Sequence, residues 1–284
     1  MKEENIRVVN RIEDVRNTVK EWKNQGLSVG FVPTMGYLHE GHQSLIKKAY
    51  EENDRIVVSI FVNPMQFGPT EDLDTYPRDL ERDSKICKDA GANLIFHPED
   101  KEMYKNDFLT FVDVNGLTEG LCAKSRPIHF RGVCTVVTKL LNIVYPDRIY
   151  FGQKDAQQLA IIKRMVRDLN IDVEVIGCPI VREEDGLARS SRNIYLSTEE
   201  REAATILNKS LSKAKTLIEN GEKSSEVIIN QIKETINSEP LARIDYVEVV
   251  DNLSMEKVKY IEKSVLVATA VYIGKTRLID NFIY

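Results

Sequence analysis

The sequence predicts an α/β protein, with a doubly wound parallel sheet followed by a smaller α+β domain. Three observations carry this expectation. Short apolar runs of strand length alternate with stretches of helical period from Leu27 to Ile176. Those strand-sized runs are apolar throughout, as in sheets buried on both faces. After Pro179 the order changes to two helical stretches followed by three strand-like ones.

The elements follow in order. Leu27–Val32 reads as a strand, with a loop beginning at Pro33, and Gly41–Glu51 as a helix with Leu45, Ile46 and Ala49 on one face. Ile56–Val62 is β-branched and almost wholly apolar, the clearest strand of the chain. Tyr76–Ala90 reads as a helix stopped by Gly91, and Asn93–Phe96 as a short strand. Gly132–Val144 (helix), Arg148–Phe151 (strand), Asp155–Leu169 (helix) and Asp172–Ile176 (strand) repeat the pattern. Beyond the expected boundary, Thr198–Asn220 reads as one long helix N-capped by Thr198, and Ser224–Asn237 as another. Ile244–Val250, Ser264–Ile273 and Thr276–Ile279 read as strands, the last two joined by a tight turn at Gly274-Lys275. The domains are expected at 1–179 and 180–284.

The 284 residues are 42% hydrophobic and 29% charged, which favours a packed fold over disorder. The longest apolar runs, Ile56–Val62 and Val265–Ile273, are too short to span a bilayer, and Met1–Asn10 lacks the apolar stretch of a signal peptide. A net charge of −5 with mixed signs argues against a nucleic-acid partner. Cys87, Cys122, Cys134 and Cys178 form no CxxC pair and read as buried free thiols in a reducing cytosol.

Four segments carry chemistry. Pro33–His42 lies between a strand and a helix, where open parallel sheets bind ligands. A helix start offers free N–H groups and partial positive charge, and Gly36 and Gly41 allow close approach to a phosphate. His39 and His42, three apart, are expected on one helix face as donors to phosphate oxygens. Their spacing is not that of HExxH, and no third ligand stands nearby in sequence, so no metal site is assigned. Gly152, Lys154 and Asp155 repeat the strand–turn–helix arrangement, with Lys154 suited to a phosphate and Asp155 to a helix cap or a ribose hydroxyl. Ser190 and Ser191, bracketed by Arg189 and Arg192, have the composition of a polyphosphate-binding loop. Asn63 and Gln66 follow the most apolar strand and suit the hydroxyl or carboxylate of a small molecule. Together these segments point to an enzyme that activates a small carboxylic acid with ATP.

The stretch PTMGYLHEGHQSLI resembles the signature of the pantothenate synthetase (pantoate–β-alanine ligase) family. FVNPMQF, RPIHFRGVCTVVTKLLNIVYPDRIYFGQKDAQQL and GLARSSRNIYLS are similar to further blocks of that family, in the same order. The HxGH element alone marks a wider superfamily of nucleotidylyl transferases. The resemblance implies a Rossmann-like domain with a smaller C-terminal lid, a homodimer, and a cytoplasmic enzyme with no nucleic-acid or membrane partner. It implies that pantoate and ATP give pantoyl adenylate and pyrophosphate, and that β-alanine then displaces AMP. Mg2+ comes with ATP as co-substrate, with no tightly bound organic cofactor.

The resemblance also implies residue roles. Met35, Gly36, Tyr37, Leu38, His39, Glu40, Gly41 and His42 form the ATP loop, and Gly152, Gln153, Lys154 and Asp155 hold adenosine and phosphate. Val181 contacts adenine through its backbone, and Ser190, Ser191 and Arg192 grip the β- and γ-phosphates. Gln66 and Gln158 bind pantoate, with Asn63, Tyr76 and Arg126 as further pocket residues. His42 matches a position often assigned as proton donor. Magnesium-bound pyrophosphate is already an adequate leaving group, so stabilisation of phosphate charge is the more economical role for both histidines. Arg189 stands where the family usually has methionine.

Overall fold

The computed structural model describes residues 6–69 and 71–284. The chain separates into two compact units. The first comprises Met1–Val114, Arg126–Gln153 and Ile161–Pro179. The second comprises Asn115–Ser125, Lys154–Ala160 and Ile180–Tyr284. Two stretches that precede residue 180 thus group with the C-terminal segment.

The first unit holds a six-stranded parallel sheet. In chain order the elements begin with β1 (Arg7–Val9), α1 (Ile12–Asn24), β2 (Val29–Thr34), α2 (Glu40–Glu52) and β3 (Arg55–Ile60). Then come α3 (Leu80–Asp89), β4 (Leu94–Phe96), α4 (Asp100–Met103), α5 (Cys122–Ser125, which groups with the second unit), α6 (His129–Val144), β5 (Arg148–Gly152), α7 (Ala156–Asp168, whose first residues also group with the second unit) and β6 (Glu174–Cys178). The strands lie in the order β1-β4-β3-β2-β5-β6, so the winding reverses between β2 and β5. Sheets wound this way bind ligands beyond the carboxyl ends of the strands at that reversal. The strand residues alternate faces. Val32, Ile56, Val58, Ile60, Ile95 and Tyr150 pack with Leu45, Ile46 and Ala49 of α2 and Cys87 of α3. Their neighbours Phe31, Val57, Leu94, Phe96 and Ile149 are equally buried, which is why these strands read as unbroken apolar runs.

Pairing at the reversal is incomplete. β2 pairs with β3 at six positions but with β5 only at Gly30↔Arg148 and Phe31↔Ile149. Pro33 does not start a loop, as the sequence suggested, but lies within β2 opposite Ser59.

The second unit builds its core from α8 (Thr198–Ala203), α9 (Ile206–Glu219), α10 (Ser225–Asn237), β7 (Ala242–Asp251), β8 (Val265–Ile273) and β9 (Thr276–Ile283). The three strands form an antiparallel sheet in sequence order. Leu207, Leu211 and Ile218 of α9 and Ile228, Ile232 and Ile236 of α10 bury against Val247, Val249, Val267 and Val271. Each such side chain contributes roughly 1.5–3 kcal/mol of burial free energy.

Four expectations need correcting. The long helix at 198–220 is two helices, with a break at Ala204-Thr205, where the Thr205 hydroxyl donates to the Glu202 carbonyl at 2.8 Å. Its N-cap is Ser197, in a reciprocal capping box with Glu200. The helix expected from Tyr76 starts at Leu80, because the Asp79 side chain caps it by accepting from the Arg82 amide. β1 and α1 also lie where the sequence suggests no element, although Val15 and Val19 are buried at helical spacing.

Candidate active site

In the first unit, β2 runs into the Met35–His42 loop at its carboxyl end. Gly36 and Tyr37 both have positive φ, +86° and 50°. The conformation is unfavourable for tyrosine, and a buried carboxylate secures it. The amides of Tyr37 and Leu38 donate to Asp83 Oδ2 and Oδ1, each at 2.7 Å. Asp83 sits on α3 and is 1% exposed. Burial drives its pKa up, the two amides and Arg82 pull it back, and the net shift is upward. At Gly36 an added Cβ would crowd Asp83 and Ile60 at 3.1 Å, and the positive φ favours glycine there.

The histidines are arranged differently from the sequence expectation. His39 is the N-cap of α2 and stands outside its helical face, while His42 is the third helical residue. They form a reciprocal capping box. Gly41 N–H donates to His39 Nδ1 at 3.1 Å, and His39 N–H donates to His42 Nδ1 at 3.3 Å. An imidazole that accepts at Nδ1 is neutral and carries its proton on Nε2. The pair therefore offers two Nε2–H donors on rings 4.1 Å apart at the positive end of a helix. Neutral imidazole is a weak acid, so this geometry favours hydrogen bonding to developing charge over proton transfer.

Asn63 and Gln66 occupy a 3-10 turn at Pro64–Gln66, after β3, and are 1% and 7% exposed. Asn63 Nδ2 donates to Gln66 Oε1 at 3.0 Å, and Gln66 Nε2 reaches Met35 Sδ at 3.2 Å. The structure therefore joins two segments that the sequence suggested separately. Behind Gln66, the His129 ring lies 3.1 Å from its carbonyl and 3.1 Å from Arg126. Arg126 makes a bidentate pair with Glu71 at 2.6 and 2.7 Å. Burial raises the Glu71 pKa, but the Arg126 hydrogen bonds and charge outweigh it and the net shift is down. Arg126 is thus engaged by a carboxylate of its own unit. Tyr76 is buried edge-on to Phe67, with ring centres 6.0 Å apart. A cavity of about 370 Å³ lies beyond β2, β3 and β4, lined in part by Met35, Gly36, Phe61, Asp83 and His97. That volume falls in the range of small-molecule sites. Gly152 ends β5, and Gln153 opens the 3-10 turn that follows.

In the second unit, Lys154 Nζ lies 3.5 Å from Asp155, and its carbonyl accepts from Asn281 at 2.9 Å. Gln158 is half-buried. Its neighbour Gln157 ties down the 115–125 stretch by donating to the carbonyls of Leu117 and Gly120 and accepting from the Cys122 amide. The carbonyl of Val181 accepts from the Arg189 amide at 3.0 Å, closing a hairpin that turns at Gly186. Arg189 directs its guanidinium to Glu183, at 3.5 Å. The Ser190 hydroxyl caps the 3-10 turn Ser191–Tyr195 by accepting from the Arg192 amide at 3.3 Å. Ser191 is buried and Arg192 half-buried.

All four cysteines are buried and free. Among the described residues no cluster of three or more His, Cys, Asp or Glu side chains could hold a metal ion, and no helix is long and apolar enough to cross a membrane.

A sequence model of the pantoate-beta-alanine ligase family matches residues 7–283. The chain belongs to that family. Pantothenate synthetase of Enterococcus faecalis is 69% identical over 273 residues, 96% of this chain and 97% of that protein. That of Clostridium acetobutylicum is 62% identical over 277 residues, 98% of this chain and 99% of that protein. Pantothenate synthetase from Thermus thermophilus has a crystal structure that superposes with a TM-score of 0.93 at 43% identity, covering 98% of this chain and 99% of that one. Pantoate-beta-alanine ligase from Francisella tularensis, crystallised with beta-gamma ATP and beta-alanine, superposes with a TM-score of 0.80 at 36% identity, covering 98% and 97%. The doubly wound parallel sheet and the small antiparallel sheet are those of this family.

Asp83, Tyr104 and His129 were not singled out from the sequence as site residues. Asp83 holds the loop amides, Tyr104 donates to Asn63 Oδ1 at 2.8 Å, and His129 supports Gln66. The RPIHF block was the only sequence signal for any of them, and it pointed to Arg126.

Proposed function

We propose that this chain condenses pantoate with β-alanine to give pantothenate, using ATP. The pantoate carboxylate attacks the α-phosphorus of ATP, forming pantoyl adenylate and releasing pyrophosphate. The β-alanine amine then attacks the acyl carbon and AMP leaves. Magnesium would come with ATP as co-substrate, where it would offset polyphosphate charge alongside Lys154 and Arg192.

The observation that carries this reading is the histidine capping box, which sets two neutral imidazoles with Nε2–H groups at the N-terminal end of α2. Such donors suit the charge that accumulates on the α-phosphate and the departing pyrophosphate. Met35 through His42, Gly152 through Asp155 and the backbone of Val181 take the nucleotide. Lys154, Ser190, Ser191 and Arg192 are assigned to the polyphosphate, and Gln66 and Gln158 to pantoate. Asn63 and Tyr76 shape the acid site. Arg126 acts there indirectly, through the Glu71 pair and His129. Arg189 contributes its backbone, its side chain being turned to Glu183. The enzyme works in the cytoplasm, where four buried thiols stay reduced, and as a homodimer.

The test is pantoate-dependent exchange of labelled pyrophosphate into ATP, followed by β-alanine-dependent AMP release. An adenylyl transferase acting on another acceptor would show exchange with that acceptor and none with pantoate. That result would sink the reading.

A further inference from the structure

A glutamine side chain can present either a donor or an acceptor to a ligand, and its amide usually leaves the choice open. At Gln66 the choice is closed by main-chain groups. Asn63 Oδ1 lies 3.4 Å from the Met65 N–H, which can only donate. Asn63 Nδ2 lies 3.2 Å from the Gly132 carbonyl, which can only accept. The Asn63 amide therefore has one orientation. Its Nδ2 also reaches Gln66 Oε1, so Gln66 turns its oxygen inward and its Nε2 outward, toward the weak acceptor Met35 Sδ. The remaining contact on Asn63 is the Tyr104 hydroxyl, at 2.8 Å from Oδ1. Since Oδ1 has only lone pairs to offer, Tyr104 is the donor. It is also the shortest of the hydrogen bonds that hold Asn63.

Tyr104 is itself well held. Its ring lies 6.3 Å from Phe61 and 5.0 Å from Phe108, with Lys139 Nζ 5.5 Å from its centre. Burial raises the pKa of its hydroxyl, keeping the proton in place over the working range of pH. The three groups form a chain of fixed polarity, Tyr104 to Asn63 to Gln66.

We infer that Tyr104 is a positioning residue for acid binding: through Asn63 it reinforces the orientation, set by main-chain groups, that presents Gln66 as a hydrogen-bond donor, so the site selects an acceptor oxygen at that point. The inference rests on the assignment of Gln66 to the acid. A carboxylate or hydroxyl oxygen readily displaces a thioether from Nε2, because oxygen is much the stronger acceptor and an ionised one stronger still.

The experiment is steady-state kinetics with a pyrophosphate-release readout. Tyr104→Phe is expected to raise the KM for pantoate about fivefold, the effect of one lost hydrogen bond, with kcat and the KM for ATP within about twofold. An unchanged pantoate KM, or equal rises for pantoate and ATP, would overturn the inference. Should that variant not fold, Asn63→Asp carries the test, since it keeps the shape and removes the Nδ2 donor. Gln66 must then turn its own donor inward. The pantoate KM should rise about a hundredfold while ATP affinity by titration stays within about twofold. A pantoate KM within about threefold of wild type would overturn the idea. Failure of the wild-type protein to show any pantoate-dependent turnover is a different outcome, and removes the functional reading itself.

Discussion

Asp83→Asn separates catalysis from stability. In the wild type both carboxylate oxygens accept main-chain N–H groups at 2.7 Å, from Tyr37 and Leu38. Asparagine keeps one acceptor and turns an NH2 toward the other amide, donor against donor. The lost charge-assisted bond costs about 2 kcal/mol. Because the loop can shift locally, that cost appears as displacement of the Met35–His42 segment, and about 2 kcal/mol corresponds to roughly a 30-fold fall in adenylate formation. Global stability responds differently. The folded-state pKa of Asp83 is raised, so the folded protein holds that proton more tightly than the unfolded chain does. Ionisation above that pKa therefore subtracts from stability, and a neutral amide removes the subtraction. The two terms oppose, and Tm at pH 7 should stay within about 4 °C of wild type. The assays are pantoate-dependent pyrophosphate exchange and a thermal melt on the same preparation. Exchange within twofold of wild type, or a collapse of Tm in step with activity, would refute the reasoning.

Other outcomes follow from the same geometry. His42→Ala and Lys154→Ala should each slow pyrophosphate exchange by about 10²-fold or more with the circular dichroism unchanged; a near-normal rate in either would cancel that assignment. Gly36→Ala places a Cβ 3.1 Å from Asp83 and Ile60 at a φ of +86°, and should cost roughly 1–3 kcal/mol in denaturant melts. Glu71 has a depressed folded-state pKa, so its contribution is complete above its unfolded value and is lost as pH falls through the folded one. Glu71→Gln should therefore flatten the acid side of the stability curve below about pH 5, and an unchanged slope would argue against the Arg126 pair as its cause.

The parts of the site that were legible in the sequence are local in the chain. Pro33–His42 announces itself because strand, glycines, histidines and helix start fall within ten residues. The supporting groups are not local. Asp83 is 45 residues from Leu38, and Tyr104 is 41 from Asn63. A parallel sheet returns the chain to the same edge only after each crossover, so such partners are widely separated and carry no spacing signal. Strand interiors were found because unbroken apolar runs mark burial on both faces. Boundaries were less secure where a polar cap competed with periodicity. The late start at Leu80 is of this kind; the split at Ala204-Thr205 instead goes with a hydroxyl that donates back to the Glu202 carbonyl. Arg126 shows a different limit: sequence placed it near the acid site, but the pairing with Glu71 depends on a loop fold that composition does not encode.

Pro33 bears on how far β2 and β5 can pair toward their carboxyl ends. The carbonyls of Ser28 and Thr34 accept from β3-side residues Arg55 and Phe61, and that of Val29 accepts from Asp147 beside β5. By alternation, Pro33 turns its nitrogen to the β5 side, beyond Phe31, where pairing with β5 has ended. An ordinary residue there would expose an amide able to extend the ladder, and the two strands could zip together toward their carboxyl ends. Proline has no hydrogen to offer. One missing N–H acts as a stop on that zipper, and keeps β2 and β5 apart at their carboxyl ends.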